Sequence, residues 1–174
     1  VQRAENDMLT GVLNKKTMEK RVSLMLKNRG DKYVIFYMVD LDNFKNVNDT
    51  LGHIYGDQAI VETAQCLNKV FANQDCIGRL GGDEFAVCVS YQAFDEQGLL
   101  EFIGKKAQEI CAGNRRTYTD NASSVSITSS IGVAYAPDMG DSFTELYTQA
   151  DCALYYSKAN GKDQYHIYSP KDDN

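Results

Sequence analysis

The sequence predicts an α+β fold: a ferredoxin-like, palm-type βαββαβ core with an antiparallel central sheet, flanking helices, and an extra C-terminal helix and short strand. Three observations predict it. The apolar pattern switches between periods of 3.6 and 2 along the chain. "CIGRL" and "FAVCVSY" flank residues 81–84 in the manner of a β-hairpin. The central block then reads strand-helix-strand-strand-helix-strand, the split βαβ arrangement in which helices pack on an antiparallel sheet.

The elements follow in order. Met18, Val22, Met25 and Leu26 fall at helical spacing, and Gly30 stops that helix. "KYVIFYMVDLD" is a continuous apolar run rich in β-branched and aromatic residues, which reads as a strand buried on both faces. Ile60, Ala64, Leu67 and Phe71 mark one face of a helix starting near Gly56, and Leu99, Ile103, Ala107 and Ile110 mark another. Val125, Ile127, Ile131 and Val133 keep the period of a strand. "SFTE" at 142–145 is a capping box that opens a helix through Ala150, Ala153 and Leu154. "QYHIY" closes as a short strand, and the polar tail after Ser169 is expected to be loose.

At 174 residues, 43% hydrophobic and 24% charged, residues 1–174 are expected to form one compact domain rather than a disordered or membrane chain. The net charge of −6 argues against nucleic acid as a partner, because that binding needs basic patches. No apolar run approaches the length that spans a bilayer, and a cytoplasmic location is expected. Cys66, Cys76, Cys88, Cys111 and Cys152 are scattered without CxxC spacing and read as small core thiols in a reducing compartment. The opening "VQRAENDMLTG" resembles the end of a longer helix, so a fragment of a larger multidomain protein, membrane-anchored or not, with an upstream sensory part is expected.

Two acidic clusters carry the chemistry. The end of the first long strand, with Asp40 and Asp42, and the hairpin tip, with Asp83 and Glu84, can lie side by side in this topology. Crowded carboxylates repel and raise one another's pKa unless a cation neutralises them. Hard oxygen donors suit Mg²⁺, with Mn²⁺ as a substitute, and such ions also take phosphate oxygens from a substrate. Gly81 and Gly82 permit a tight turn and close approach of a ligand to the backbone. An acidic hairpin tip on its own is also consistent with a solvated turn.

"GGDEF" at 81–85 resembles the signature of diguanylate cyclase domains. "DMLTGVLNK" at 7–15, "DLDNFKNVNDTLGHIYGD" at 40–57, "SIGVA" at 130–134 and "ADCALYYSKANGK" at 150–162 resemble the other blocks of that family, in order and at normal spacing. The resemblance implies that two GTP molecules are joined into cyclic di-GMP with release of two pyrophosphates. The reaction runs across a homodimer of domains, each of which carries one GTP. It implies a metal site at Asp40, the Leu41 carbonyl, Asp83 and Glu84, with Asp83 or Glu84 as the catalytic base. Asp42 is either a supporting metal ligand or a helix-entry residue.

The same resemblance implies guanine recognition by Asn48 and Asp57. An ionised carboxylate accepts from N1–H and the 2-amino group together, which adenine does not offer. Asp57 also fits an N-cap after Gly56. Phe44 is expected to pack beneath the loop, and it and Lys45 join the substrate contacts. His53 reads as structural, with a substrate contact as the other reading. Lys158 and Lys162, four apart and expected on one helix face, resemble triphosphate contacts. "ANQD" at 72–75 departs from the family's Arg-x-x-Asp product-inhibition motif: Ala72 stands in place of the arginine and Asp75 is kept. A nucleotide-binding regulatory module without turnover is the alternative function. A purely dimerising domain would not need this set of polar residues.

Overall fold

The computed structural model describes residues 4–72 and 76–173. A two-residue strand β1 (Leu13–Asn14) leads into helix α1 (Lys15–Lys27), where Asn14 accepts from the Thr17 amide as N-cap. The apolar run becomes strand β2 (Tyr33–Asp42), and helices α2 (Phe44–Leu51) and α3 (His53–Val70) follow. Strands β3 (Cys76–Gly81) and β4 (Glu84–Tyr91) form the hairpin, and helix α4 (Glu96–Gly113), strands β5 (Arg116–Thr119) and β6 (Ser124–Ala136), helix α5 (Phe143–Ala159) and strand β7 (Tyr165–Ile167) complete the fold.

The sheet runs β1-β3-β4-β2-β6-β5, with β7 added in parallel beside β6. Its four central strands are antiparallel in the order β3-β4-β2-β6, the arrangement expected from the βαββαβ pattern. β2 sits in the middle and divides by the period of 2 between two apolar layers. Ile35, Tyr37, Val39 and Leu41 join the α3 and α4 side with Ile60, Leu67, Leu99 and Ile103. Val34, Phe36 and Met38 join the α1 and α5 side with Met18, Val22, Leu146 and Ala150. Removing a side chain such as Phe36, which is fully buried, would cost about 3–5 kcal/mol. The capping box at Ser142 forms as expected, with its hydroxyl accepting from the Glu145 amide at 3.1 Å.

Three expectations are corrected, and two short strands were not foreseen. The helix read as starting near Gly56 starts at His53, because Gly52 at φ 95° ends a separate short helix α2. Asp57 therefore lies inside α3 and is not its N-cap. The short strands β1 and β5 carry too few residues to show a period. The tail after Ser169 is held rather than loose: the Tyr168 hydroxyl donates to Asp173 at 2.6 Å, the Ser169 amide donates to Asp172 at 2.8 Å, and His166 Nε2 is 2.9 Å from Asp172. Acids that look like solvated surface in sequence fold back as a 3₁₀ turn, Pro170–Asp173.

Candidate active site

The two acidic clusters meet. Asp40 and Glu84 are directly paired across β2 and β4, and the Leu41 amide donates to the Asp83 carbonyl at 3.3 Å. Gly81, the last residue of β3, and Gly82, in the two-residue connection to β4, lie at φ 154° and 47°, where a side chain would be strained. The tip is pinned from behind. Arg79 Nε donates to the Gly82 carbonyl at 2.9 Å and Nη1 to Asp7 at 3.2 Å, while Asp7 accepts from the Thr10 amide and hydroxyl at 2.9 and 2.7 Å. The opening motif thus serves as an anchor for the hairpin. Burial raises the Asp7 pKa, but the Thr10 and Arg79 bonds outweigh it and hold the carboxyl below the usual range.

Charge is crowded at the tip. Burial and then the neighbouring Asp83 push Asp40 up to about 7, against the pull of Lys158. Burial, Asp151 and Asp83 raise Glu84, opposed by Lys15 and by a hydrogen bond from Tyr147. Lys158 Nζ lies 3.1 Å from Asp40 Oδ2 and 3.1 Å from Asp42 Oδ1. Burial alone would lower the Lys158 pKa, yet these two acids keep it raised.

Asp42 is neither a helix-entry residue nor turned to the tip. It is the last residue of β2, only 4% exposed, and accepts from Thr128 at 2.6 Å, Ser130 at 2.7 Å, Lys158 at 3.1 Å and the Asp163 amide at 3.2 Å. Four donors outweigh burial and lower its pKa. Asp42 thereby ties β2, β6 and the end of α5 together.

Asp83 and Glu84 are half-buried, so they are not a freely solvated turn. Among the described residues no group of three or more His, Cys, Asp or Glu side chains is drawn into a ready cage. The donor set still fits Mg²⁺, which favours oxygen ligands and leaves positions for water and substrate phosphates.

The nucleotide-side residues divide. Asn48 on α2 is half-buried and packs against α3, where a Cβ added at Gly56 would lie 1.8 Å from its Oδ1. Asp57, the next residue along, is exposed. Phe44 packs against the core beneath the loop as expected. Lys45 is 90% exposed and pairs with Asp49 at 3.1 Å. His53 is exposed at the first position of α3, so it is not a core residue. Lys158 and Lys162 do not share a helix face: α5 ends at Ala159, and Lys162 lies exposed in the following turn at φ 61°. Ala72 is exposed and lines a polar cleft of about 280 Å³ with Arg21 and Asn68, while Asp75 lies outside the described residues.

Sequence reasoning missed the Asp7–Arg79 anchor, the partners of Asp42 and the pairing of Lys158 with Asp40. A signal for Asp42 existed in Thr128 and Ser130, two apart in an otherwise apolar strand. Only the register Asp42↔Thr128 and Asp40↔Ser130 makes it readable.

Residues 4–164 match the family model described as "Diguanylate cyclase, GGDEF domain". The chain is 30% identical over 97% of its length to PdeR of Escherichia coli, named a cyclic di-GMP phosphodiesterase. It is 33% identical over 97% of its length to MucR of Pseudomonas aeruginosa, named a bifunctional diguanylate cyclase/cyclic di-GMP phosphodiesterase. It spans 24% of the length of each of these relatives. The solved GGDEF domain of TpbB from Pseudomonas aeruginosa superposes with a TM-score of 0.87 at 29% identity, covering 97% of both chains. The hairpin tip, the strand it faces and the fold that joins them are those of one family: the chain belongs to the GGDEF diguanylate cyclase domains.

Proposed function

We propose that this domain is an active diguanylate cyclase, which condenses two GTP into cyclic di-GMP and releases two pyrophosphates. The observation that carries the reading is the pairing of Asp40 with Glu84, with Asp83 beside them on the tip. Asp83 accepts the proton of the attacking 3′-hydroxyl. Mg²⁺ held by Asp40, the Leu41 carbonyl, Asp83 and Glu84 supplies positive charge to the α-phosphate when bound. Lys158 and Lys162 meet the triphosphate, with Lys45 at the rim. Asn48 and Asp57 read guanine, above Phe44 and near His53. Since one domain holds one nucleotide, two copies face each other for reaction, and the rate per protein rises with protein concentration where association is weak. We place the catalytic unit in the cytoplasm, where GTP is available; no helix among the described residues is long and apolar enough to cross a membrane.

A second reading is a regulatory module that binds GTP or cyclic di-GMP without turnover. It is favoured by the phosphodiesterase name of PdeR, which matches nearly the whole of this chain. Incubation with GTP and Mg²⁺ followed by chromatography separates the two. Cyclic di-GMP and pyrophosphate support the cyclase; bound, unconverted GTP supports the module.

A further inference from the structure

Cys76 and Cys88 stand directly opposite each other on β3 and β4. Opposite residues of an antiparallel pair place their Cα atoms about 4.5 or about 5.5 Å apart and their side chains on one face. Both spacings lie within the roughly 4.4–6.8 Å that a disulfide accepts. Both side chains belong to the apolar layer under α1, where Cys88 Sγ lies 3.6 Å from Met25 Sδ. The other three cysteines lie on helices α3, α4 and α5, and Cys152 packs against the edge of the same layer. Burial raises the pKa of each of these, Cys111 to about 11, and none of the three stands opposite another cysteine on a paired strand.

We propose that Cys76 and Cys88 are an oxidative modification site, a dithiol that closes to a cross-strand disulfide under a peroxide. Cys76, 8% exposed at the start of β3, is the sulfur that meets the oxidant, since Cys88 is fully buried. Its thiolate displaces hydroxide from the peroxide and becomes a sulfenic acid. The Cys88 sulfur then attacks that sulfur, forms the S–S bond and expels water. The balance is two thiols and one peroxide giving one disulfide and two waters.

The ring so closed contains the whole hairpin tip with Asp83 and Glu84, so oxidation staples the root of the element that carries the signature.

The test treats the folded chain with hydrogen peroxide, quenches in acid, alkylates and maps peptides without reduction. The expected result is a mass lower by two hydrogens, a linked pair of peptides bearing Cys76 and Cys88, and full reversal by dithiothreitol. Slower amide exchange across 77–87 in the oxidised form is expected alongside. Cys76→Ser, a nearly isosteric change, removes the link. Both cysteines alkylated after oxidation, or Cys88 linked to another cysteine, would overturn the proposal; the unmodified chain gives that answer even where a variant folds poorly.

Discussion

Lys158 Nζ stands 3.1 Å from both Asp40 Oδ2 and Asp42 Oδ1, bridging the β2 acid that faces the hairpin to one buried behind it. One ammonium thus stands between the two acids of β2, and the proposed function gives it a phosphate contact as well. Lys158→Ala removes a charge-assisted contact worth about 1.5–3 kcal/mol. The expected result is a fall of about 10–100-fold in kcat/KM for GTP, carried mainly by KM, with a lower Tm because Asp42 loses one donor. Steady-state kinetics and thermal unfolding check both; an unchanged KM would count against the phosphate role.

Asp83→Asn and Glu84→Gln each remove a negative charge from a crowded tip. Activity is expected to vanish while stability holds or rises, since the repulsion felt by Asp40 is relieved. Product assay and thermal melts on each variant check the pair of signs. A loss of more than about 2 kcal/mol in stability would mean that these acids hold the fold.

Gly56→Ala drives a methyl group to within 1.8 Å of Asn48 Oδ1. The clash is with the free end of a side chain, so the helix tolerates it and Asn48 turns away. Stability near that of the parent is expected, with weaker GTP binding and reduced preference for GTP over ATP. Asp57→Ala should weaken guanine binding by about 1–3 kcal/mol through loss of an ionised acceptor. Calorimetry with both nucleotides checks these, and an unaltered GTP to ATP ratio in Gly56→Ala would remove Asn48 from the reading.

Asp7 has a folded pKa below its unfolded value. The stability it contributes is therefore present above the unfolded value near 3.8 and is lost as pH falls below it, through the folded value. Asp7→Asn is expected to lower stability at pH 7 by about 1–3 kcal/mol and to flatten the loss between pH 4 and 2. Denaturant melts across that range check it. Because Arg79 also holds the Gly82 carbonyl, activity should drop as the tip loosens.

Ala72 leaves the polar cleft it shares with Arg21 and Asn68 without the arginine fork of the product-inhibited members. Initial rates are expected to be insensitive to micromolar cyclic di-GMP, with Ala72→Arg gaining sensitivity by about tenfold or more. Strong inhibition of the parent chain, non-competitive with GTP, would contradict this.

The sheet and its site were legible in sequence to different depths. β2 and the hairpin read clearly because their apolar periods are long and two glycines mark the tip. The break between α2 and α3 did not, since its stop signal is the single residue Gly52 between two helical stretches. The carboxylate pairing followed from topology, yet the Asp42 cluster needed the β2–β6 register, and Lys158 needed the angle at which α5 crosses the sheet. Lys162 was misread because the helix stops three residues before it, at a turn with no proline to announce it. Asp172 and Asp173 were misread because their partners, His166 and Tyr168, lie on the last strand and the residue after it.

The central claim is that the paired acids of β2 and the hairpin perform nucleotidyl transfer rather than merely hold a nucleotide. The most direct measurement follows GTP binding by calorimetry and cyclic di-GMP formation by chromatography, side by side, in the parent chain and in Asp83→Asn with Mg²⁺ present. Binding within about tenfold of the parent, with product formation reduced by about 10³-fold or more, is the predicted result. Product formation by Asp83→Asn at the parent rate, or none from the parent chain while it binds GTP, would contradict it.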